Sequence, residues 1–209
     1  MRISIEKKFI ALANPRCGST SVRVGLDKYC EYRSRVNCRL DHHDALRTVQ
    51  GFIEEIGLDL SNFFIFTTVR NPWDRAVSIY HYGLKNEKSA WHAPAITAGT
   101  FSNFLNCDML LRHFRPELSS KPLPQGPYDV ASFCADKSGA LVGQAFKIEE
   151  LDKLKSELFQ NCGLRIDLPH VNVTERNNYQ SYYNDKDVER VAFLFEMDIK
   201  MFEYTFDLD

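Results

Sequence analysis

Arg16, Cys17, Gly18, Ser19, Thr20 and Ser21 stand in a row: one guanidinium, one thiol, one glycine and three hydroxyls. A short apolar run, Phe9 to Ala13, precedes them, and Asn14-Pro15 breaks it. Val22, Leu26 and Tyr29 follow at helical spacing. The reading is strand, tight loop, helix. A loop of small residues that opens a helix leaves backbone N–H groups unpaired and aimed at one point, where the helix dipole adds partial positive charge. Gly18 permits close backbone approach, the hydroxyls donate, and Arg16 brings a full charge. The chemistry is anion binding. It is not of the Walker type, because Gly-x-x-x-x-Gly-Lys-Ser/Thr is absent. The same residues also fit an ordinary strand-to-helix turn with capping Ser and Thr.

A second chemical stretch runs Val69-Arg-Asn-Pro-Trp-Asp-Arg-Ala-Val-Ser-Ile-Tyr80. Again an apolar strand ends in a polar turn that opens a helix. In open α/β sheets ligands bind at the carboxyl ends of strands. That end here carries Arg70, and the next turn offers Ser78. An arginine fork with a hydroxyl suits a phosphate monoester. The bland reading pairs Arg70 with Asp74 and leaves Arg75 in solvent. Cys17 to Arg23 also fits Cys-x-x-x-x-x-Arg, the phosphate loop of tyrosine phosphatases, although Arg16 stands where those enzymes carry His and Val24 replaces a hydroxyl residue. For proton transfer, His42 and His43 in Asp41-His-His-Asp-Ala45 titrate in the useful range. They read equally as a surface pair or a helix cap. Glu149 is a weaker candidate for orienting the site.

These side chains need elements to hold them. Residues 2–13 read as a first strand and 19–30 as a first helix. Residues 31–43, polar and basic, read as a surface loop. Asp44 to Ile56 reads as a helix through Leu46, Val49, Phe52, Ile53 and Ile56, with Gly57 as its cap. Phe63 to Val69 reads as a parallel strand buried on both faces. Asn71 caps, and Pro72 opens, a helix from Trp73 to about Gly83. Thr100 to Phe114 reads as a helix, and 119–127 as a proline-rich loop that could cover a site. Ala140 to Ile148 reads as a third strand, Glu149 to Gln160 as a helix, and 187–203 as a closing helix. Alternating strands and helices give an α/β fold with a mainly parallel sheet. Phe9–Ala13 and Phe63–Val69 should then be parallel neighbours, with Arg16 and Arg70 at one sheet edge.

The chain has 209 residues, which predicts one domain over 1–209. Hydrophobic residues at 44% and charged residues at 26% make it globular. A net charge of −2 argues against a broad nucleic-acid surface, so an anion site must be a local cluster of cations. Six scattered Cys without a C-x-x-C pair support neither zinc nor a disulfide framework, and point to a reducing, cytoplasmic setting. The His spacing shows no metal motif. Residues 1–8 do not read as a signal peptide, and no apolar run approaches the ~18 residues of a membrane helix. Without a secretory signal, the sequon Asn172-Val-Thr174 is accidental.

Asn14-Pro-Arg-Cys-Gly-Ser-Thr-Ser21 resembles the 5′-phosphosulfate loop of sulfotransferases, and Val69 to Tyr80 resembles their 3′-phosphate motif. The form Arg-Asn-Pro-Trp-x-Arg-x-x-Ser is similar to the branch with carbohydrate 2-O- and chondroitin-type enzymes and small bacterial relatives. Phe146-Lys-Ile-Glu-Glu-Leu151 resembles a strand-end segment of that branch. Leu168-Pro-His-Val-Asn172, with Tyr179, Tyr182 and Tyr183, resembles its tail. The resemblance implies a three-layer fold like that of P-loop nucleoside-triphosphate hydrolases. It implies 3′-phosphoadenosine 5′-phosphosulfate as donor, adenosine 3′,5′-bisphosphate as product, no metal, and a hydroxyl or amine acceptor, a carbohydrate among the candidates. Arg16, Cys17, Gly18, Ser19, Thr20 and Ser21 would hold the 5′-phosphosulfate, and Arg70 and Ser78 the 3′-phosphate. His42 matches a His-x-x-Ala element and would be the base, with His43 next. The family usually has Lys where this chain has Arg16. That departure leaves a nucleotide-binding module without chemistry as the alternative, ahead of a Cys17/Arg23 phosphatase.

Overall fold

A computed structural model describes residues 1–121, 128–168 and 177–206. The stretch 2–13 is not one strand but a hairpin. β1 (Arg2–Ser4) turns through Ile5, Glu6, Lys7 and Lys8 into β2 (Phe9–Ala11), antiparallel, with Arg2 opposite Ala11. Lys8 makes the return with a left-handed φ of 54°. α1 (Ser19–Leu26) is shorter than expected and tightens into a 3₁₀ turn over Asp27–Tyr29. The expected loop over 31–43 contains an edge strand, β3 (Tyr32–Arg33), too short to show any periodicity. α2 (Leu46–Glu55) buries Leu46, Val49, Phe52 and Ile53, as the spacing predicts, and Gly57 beyond it has φ 77°.

β4 (Phe64–Val69) is buried over all but its first residue. α3 (Pro72–Lys85) begins as expected, with the Asn71 side chain accepting from the N–H groups of Trp73 at 3.1 Å and Asp74 at 3.5 Å. α4 (His92–Ala98) follows. The single helix expected over Thr100–Phe114 is two, α5 (Phe101–Phe104) and α6 (Asp108–Phe114), because Cys107 adopts an extended conformation between them. After α7 (Val130–Phe133), the third strand is only β5 (Gln144–Lys147). α8 (Leu151–Cys162) ends at Gly163, φ 66°. The closing helix is also two, α9 (Asp185–Leu194) and α10 (Glu196–Phe202), which meet at Phe195. The expected lid falls mostly on 122–127, and the tail motif beyond Leu168 and the sequon on 169–176. Both stretches lie outside the described residues.

The chain divides into two compact units, one of residues 1–70 and 130–173, the other of 71–129 and 174–209. The first holds a five-stranded sheet in the order β3-β1-β2-β4-β5. β2–β4 and β4–β5 pair in parallel, and β1 runs antiparallel to both its neighbours. So β3, β2, β4 and β5 point one way and only β1 is reversed. The expected β2–β4 neighbourhood is found, with Phe9 opposite Phe64 and Ala11 opposite Phe66. On that face Phe9, Ala11 and Phe66 pack with Val22 and Leu26 of α1 and Leu154 and Leu158 of α8. Burying each of the larger side chains stabilises the fold by about 1.5–3 kcal/mol. Phe64, Phe66 and Phe146 continue this face as an aromatic ladder across β4 and β5.

The second unit is helical. Its centre is Arg75 on α3, 1% exposed and therefore not in solvent as the bland reading had it. Its guanidinium bonds the Asp198 carboxylate at 3.2 Å and the Tyr128 carbonyl, between the rings of Phe114 and Phe195. The α3 entry is tied down by Tyr183, whose hydroxyl donates to the Trp73 carbonyl at 2.7 Å, and by Trp73 Nε1, which donates to the Val188 carbonyl at 3.1 Å. Among the described residues, no helix is long and apolar enough to cross a membrane.

Candidate functional site

The carboxyl ends of β2, β4 and β5 lie together in the first unit, and the loop over 14–18 leaves the first of them. Arg16 takes a left-handed φ of 62° and Gly18 one of 70°. A left-handed non-glycine residue costs on the order of 1–3 kcal/mol, which the surrounding contacts must over-determine. Left-handed residues on either side of Cys17 turn successive N–H groups toward one side of the loop, a concavity suited to an anion. Gly18 is also the N-cap of α1, without a side-chain cap. Among the described residues, no acceptor lies on the backbone N–H of Gly18, Ser19 or Thr20. Glycine is required here twice over. Its φ disfavours a side chain, and a Cβ would stand 3.1 Å from Ile148 Cγ2, just beyond β5.

The second motif reaches the same place. Arg70 directly follows β4, and its Nη1 donates to the Arg16 carbonyl at 3.5 Å. Arg16 and Arg70 thus share one sheet end, as the two strands require. One residue earlier, Thr68 is 1% exposed, and its hydroxyl donates to the Cys17 carbonyl at 2.5 Å. Thr67, pointing to the other face, donates to the Leu12 carbonyl at 3.3 Å.

Cys17 is fully buried, and its Sγ–H donates to the Pro15 carbonyl at 3.5 Å. Arg23 gives one N–H to Thr20 Oγ1 at 3.4 Å. A thiol turned back onto its own loop is not placed to attack phosphorus, so the phosphatase pattern is one of spacing only. None of the six cysteines forms a disulfide.

The two histidines differ in what holds them. His43 Nδ1 lies 2.6 Å from the Ala13 carbonyl, the last backbone group before the loop. A carbonyl only accepts, so Nδ1 carries the proton and Nε2 keeps its lone pair. The ring is reached by solvent, while protein around it lowers its pKa from the usual imidazole value by desolvation, against the opposing Ala13 bond. His42 Nδ1 instead pairs with the buried Ser34 Oγ at 2.6 Å. Desolvation first, then the charge of Arg23, push its pKa down to about 4.

Ser78 belongs to the second unit, on the second turn of α3, and is 2% exposed. Glu149 lies in the 3₁₀ turn after β5 and is exposed. Among the described residues, no group of His, Cys, Asp and Glu could hold a metal ion. The sequence reading passed over Thr68, although a signal existed. Two hydroxyls in Phe-Phe-Ile-Phe-Thr-Thr-Val, a strand expected to be buried on both faces, must each find an acceptor.

A loop of small residues at the first strand end and an arginine at the next thus lie together at one end of the sheet. The family model described as "Sulfotransferase family" matches residues 2–205, and the chain belongs to that family. No curated protein matches it. The family assigns the chain to sulfuryl transfer in general.

Proposed function

We propose that this protein moves the sulfuryl group of 3′-phosphoadenosine 5′-phosphosulfate to a hydroxyl or amine of an acceptor, on a P-loop-like fold. The observation that carries this reading is the cradle of Gly18, Ser19 and Thr20 N–H groups, with the Arg70 guanidinium at its rim. The cradle fits a 5′-phosphosulfate. It has unpaired donors, no side chain at Gly18, and a helix N-terminus behind it. Arg70 is assigned to the 3′-phosphate with Ser78, the latter on the sequence motif alone. A carbohydrate acceptor and a cytoplasmic setting complete the reading.

Catalysis of this kind is mainly positioning and charge stabilisation. The acceptor oxygen forms a bond to sulfur as the bond from sulfur to the bridging oxygen breaks. The leaving bisphosphate takes the electron pair. Arg16 and the loop N–H groups stabilise that charge, Arg16 doing so with a planar fork where relatives carry an ammonium. The acceptor proton goes to an imidazole. We assign it to His43 Nε2 in preference to His42, because the Ala13 carbonyl fixes the tautomer that leaves Nε2 basic.

Thermal unfolding with nucleotides tests the reading. Adenosine 3′,5′-bisphosphate at a hundred times its Kd should raise the midpoint by about 5–10 °C. Adenosine 5′-monophosphate should raise it much less. Equal shifts would remove the 3′-phosphate assignment. Tight binding without turnover on any acceptor would favour a binding module.

A further inference from the structure

Thr68 lies outside the two motifs and faces no open site, yet its side chain is bonded to the crown of the loop. Its hydroxyl donates to the Cys17 carbonyl at 2.5 Å, and it is 1% exposed. The Cys17 carbonyl and the Gly18 N–H belong to one peptide plane. In a trans peptide they point in opposite directions. A carbonyl drawn toward β4 therefore sends the Gly18 N–H away from the strand, toward the mouth of the loop. Ile148 Cγ2, 3.1 Å from where a Gly18 Cβ would stand, closes the other side of the same residue. The left-handed φ of 62° at Arg16 is costly for a residue with a side chain and persists only where neighbouring contacts hold it, so the peptides after Arg16 need an external anchor. Thr68 supplies it from a strand interior, where a hydroxyl is present only if it has a partner.

We propose that Thr68 is a positioning residue for donor binding. By holding the Cys17 carbonyl it aims the Gly18 N–H at the 5′-phosphate end of the nucleotide. This rests on the donor reading given above. Thr67 provides an internal control. It is equally buried on the same strand, but its hydroxyl donates to the Leu12 carbonyl at 3.3 Å, before the loop begins.

The test is calorimetric binding of adenosine 3′,5′-bisphosphate and of adenosine 3′-monophosphate to the wild type, Thr68→Val, Thr68→Ser and Thr67→Val. Valine keeps the shape and removes the hydroxyl. Thr68→Val should weaken the bisphosphate about tenfold, the scale of one misplaced hydrogen bond to a charged group. It should leave the 3′-monophosphate, which has nothing in the loop, within about twofold of wild type. Thr68→Ser should restore most of the loss, and Thr67→Val should not reproduce it. Equal weakening of both nucleotides, or the same loss in Thr67→Val, would make Thr68 a structural residue only and overturn the proposal. Bisphosphate affinity unchanged in Thr68→Val would overturn it as well. Failure of the wild type to bind the bisphosphate is a distinct result. It removes the donor reading, and the proposal with it.

Discussion

His43 and His42 are adjacent in sequence, and one hydrogen bond apiece separates their chemistry. The Ala13 carbonyl leaves His43 one tautomer, with the proton on Nδ1 and a basic Nε2. The Ser34 hydroxyl can donate or accept and leaves His42 either tautomer. If His43 is the base, His43→Ala should lower kcat by roughly 10²–10⁴, the usual contribution of a positioned base. Bisphosphate affinity should stay nearly unchanged. His42→Ala should be the milder of the two. The neutral imidazole is the working form, and its folded pKa is lowered. The rate should therefore hold as pH falls to the usual imidazole range and drop only below it. A kinetic comparison of the two variants with a working acceptor decides between them. Near-wild-type turnover in His43→Ala, with a large loss in His42→Ala, would return the role to His42.

At the scale of elements, β4 and α3 divide the second motif between them. The strand delivers Thr68 and Arg70 to the loop. The helix commits its other arginine, Arg75, to packing. That guanidinium is held by Asp198 at 3.2 Å and two aromatic faces, deep in the helical unit. Removing one partner of a buried ion pair leaves the other charge uncompensated and costs about 3–5 kcal/mol. Arg75→Leu should therefore cost about that much in denaturant titration. Combining it with Asp198→Leu should recover a large share, since a pair of apolar residues leaves no buried charge. A single variant of near-wild-type stability would remove Arg75 from the framework.

For the molecule as a whole, desolvated imidazoles link stability to pH in both units. His42 in the first and His113 in the second have pKa values lowered to about 4, desolvation being the largest cause in each. Unfolded, each protonates near the ordinary value of about 6.5. Between those values the unfolded chain binds more protons than the folded one, so stability rises with pH. The contribution is complete above about 6.5 and is lost as pH falls toward 4. Urea midpoints should be flat from pH 8 to 7 and decline from pH 6.5 to 5, with a shallower decline in His113→Phe. Midpoints independent of pH over the lower interval would show that neither histidine stays neutral in the folded state.

The sequence by itself determined the parts whose cause is local. Phe64–Val69 is a strand because a continuous apolar run has to be covered on both sides. α3 starts at Pro72 because Asn71 caps it, and Gly18 is glycine because the loop needs its freedom. The turn between β2 and α1 and the place of Arg70 at the end of β4 were legible for the same reason, since each follows directly on a short apolar strand. Only the tertiary structure decided what depends on partners distant in sequence. The reversal of β1 against β2 is set by pairing. The breaks at Cys107 and Phe195 leave no mark in the sequence, because an apolar period of three or four continues across them. Arg75 was divided from Arg70 by Asp198, which lies 123 residues away in sequence. His43 was divided from His42 by a carbonyl 30 residues back, and Thr68 meets Cys17 through a hydrogen bond spanning 51 residues. Residue type and spacing state what chemistry a side chain can do. Which atom it meets depends on chain segments that only the folded sheet brings together.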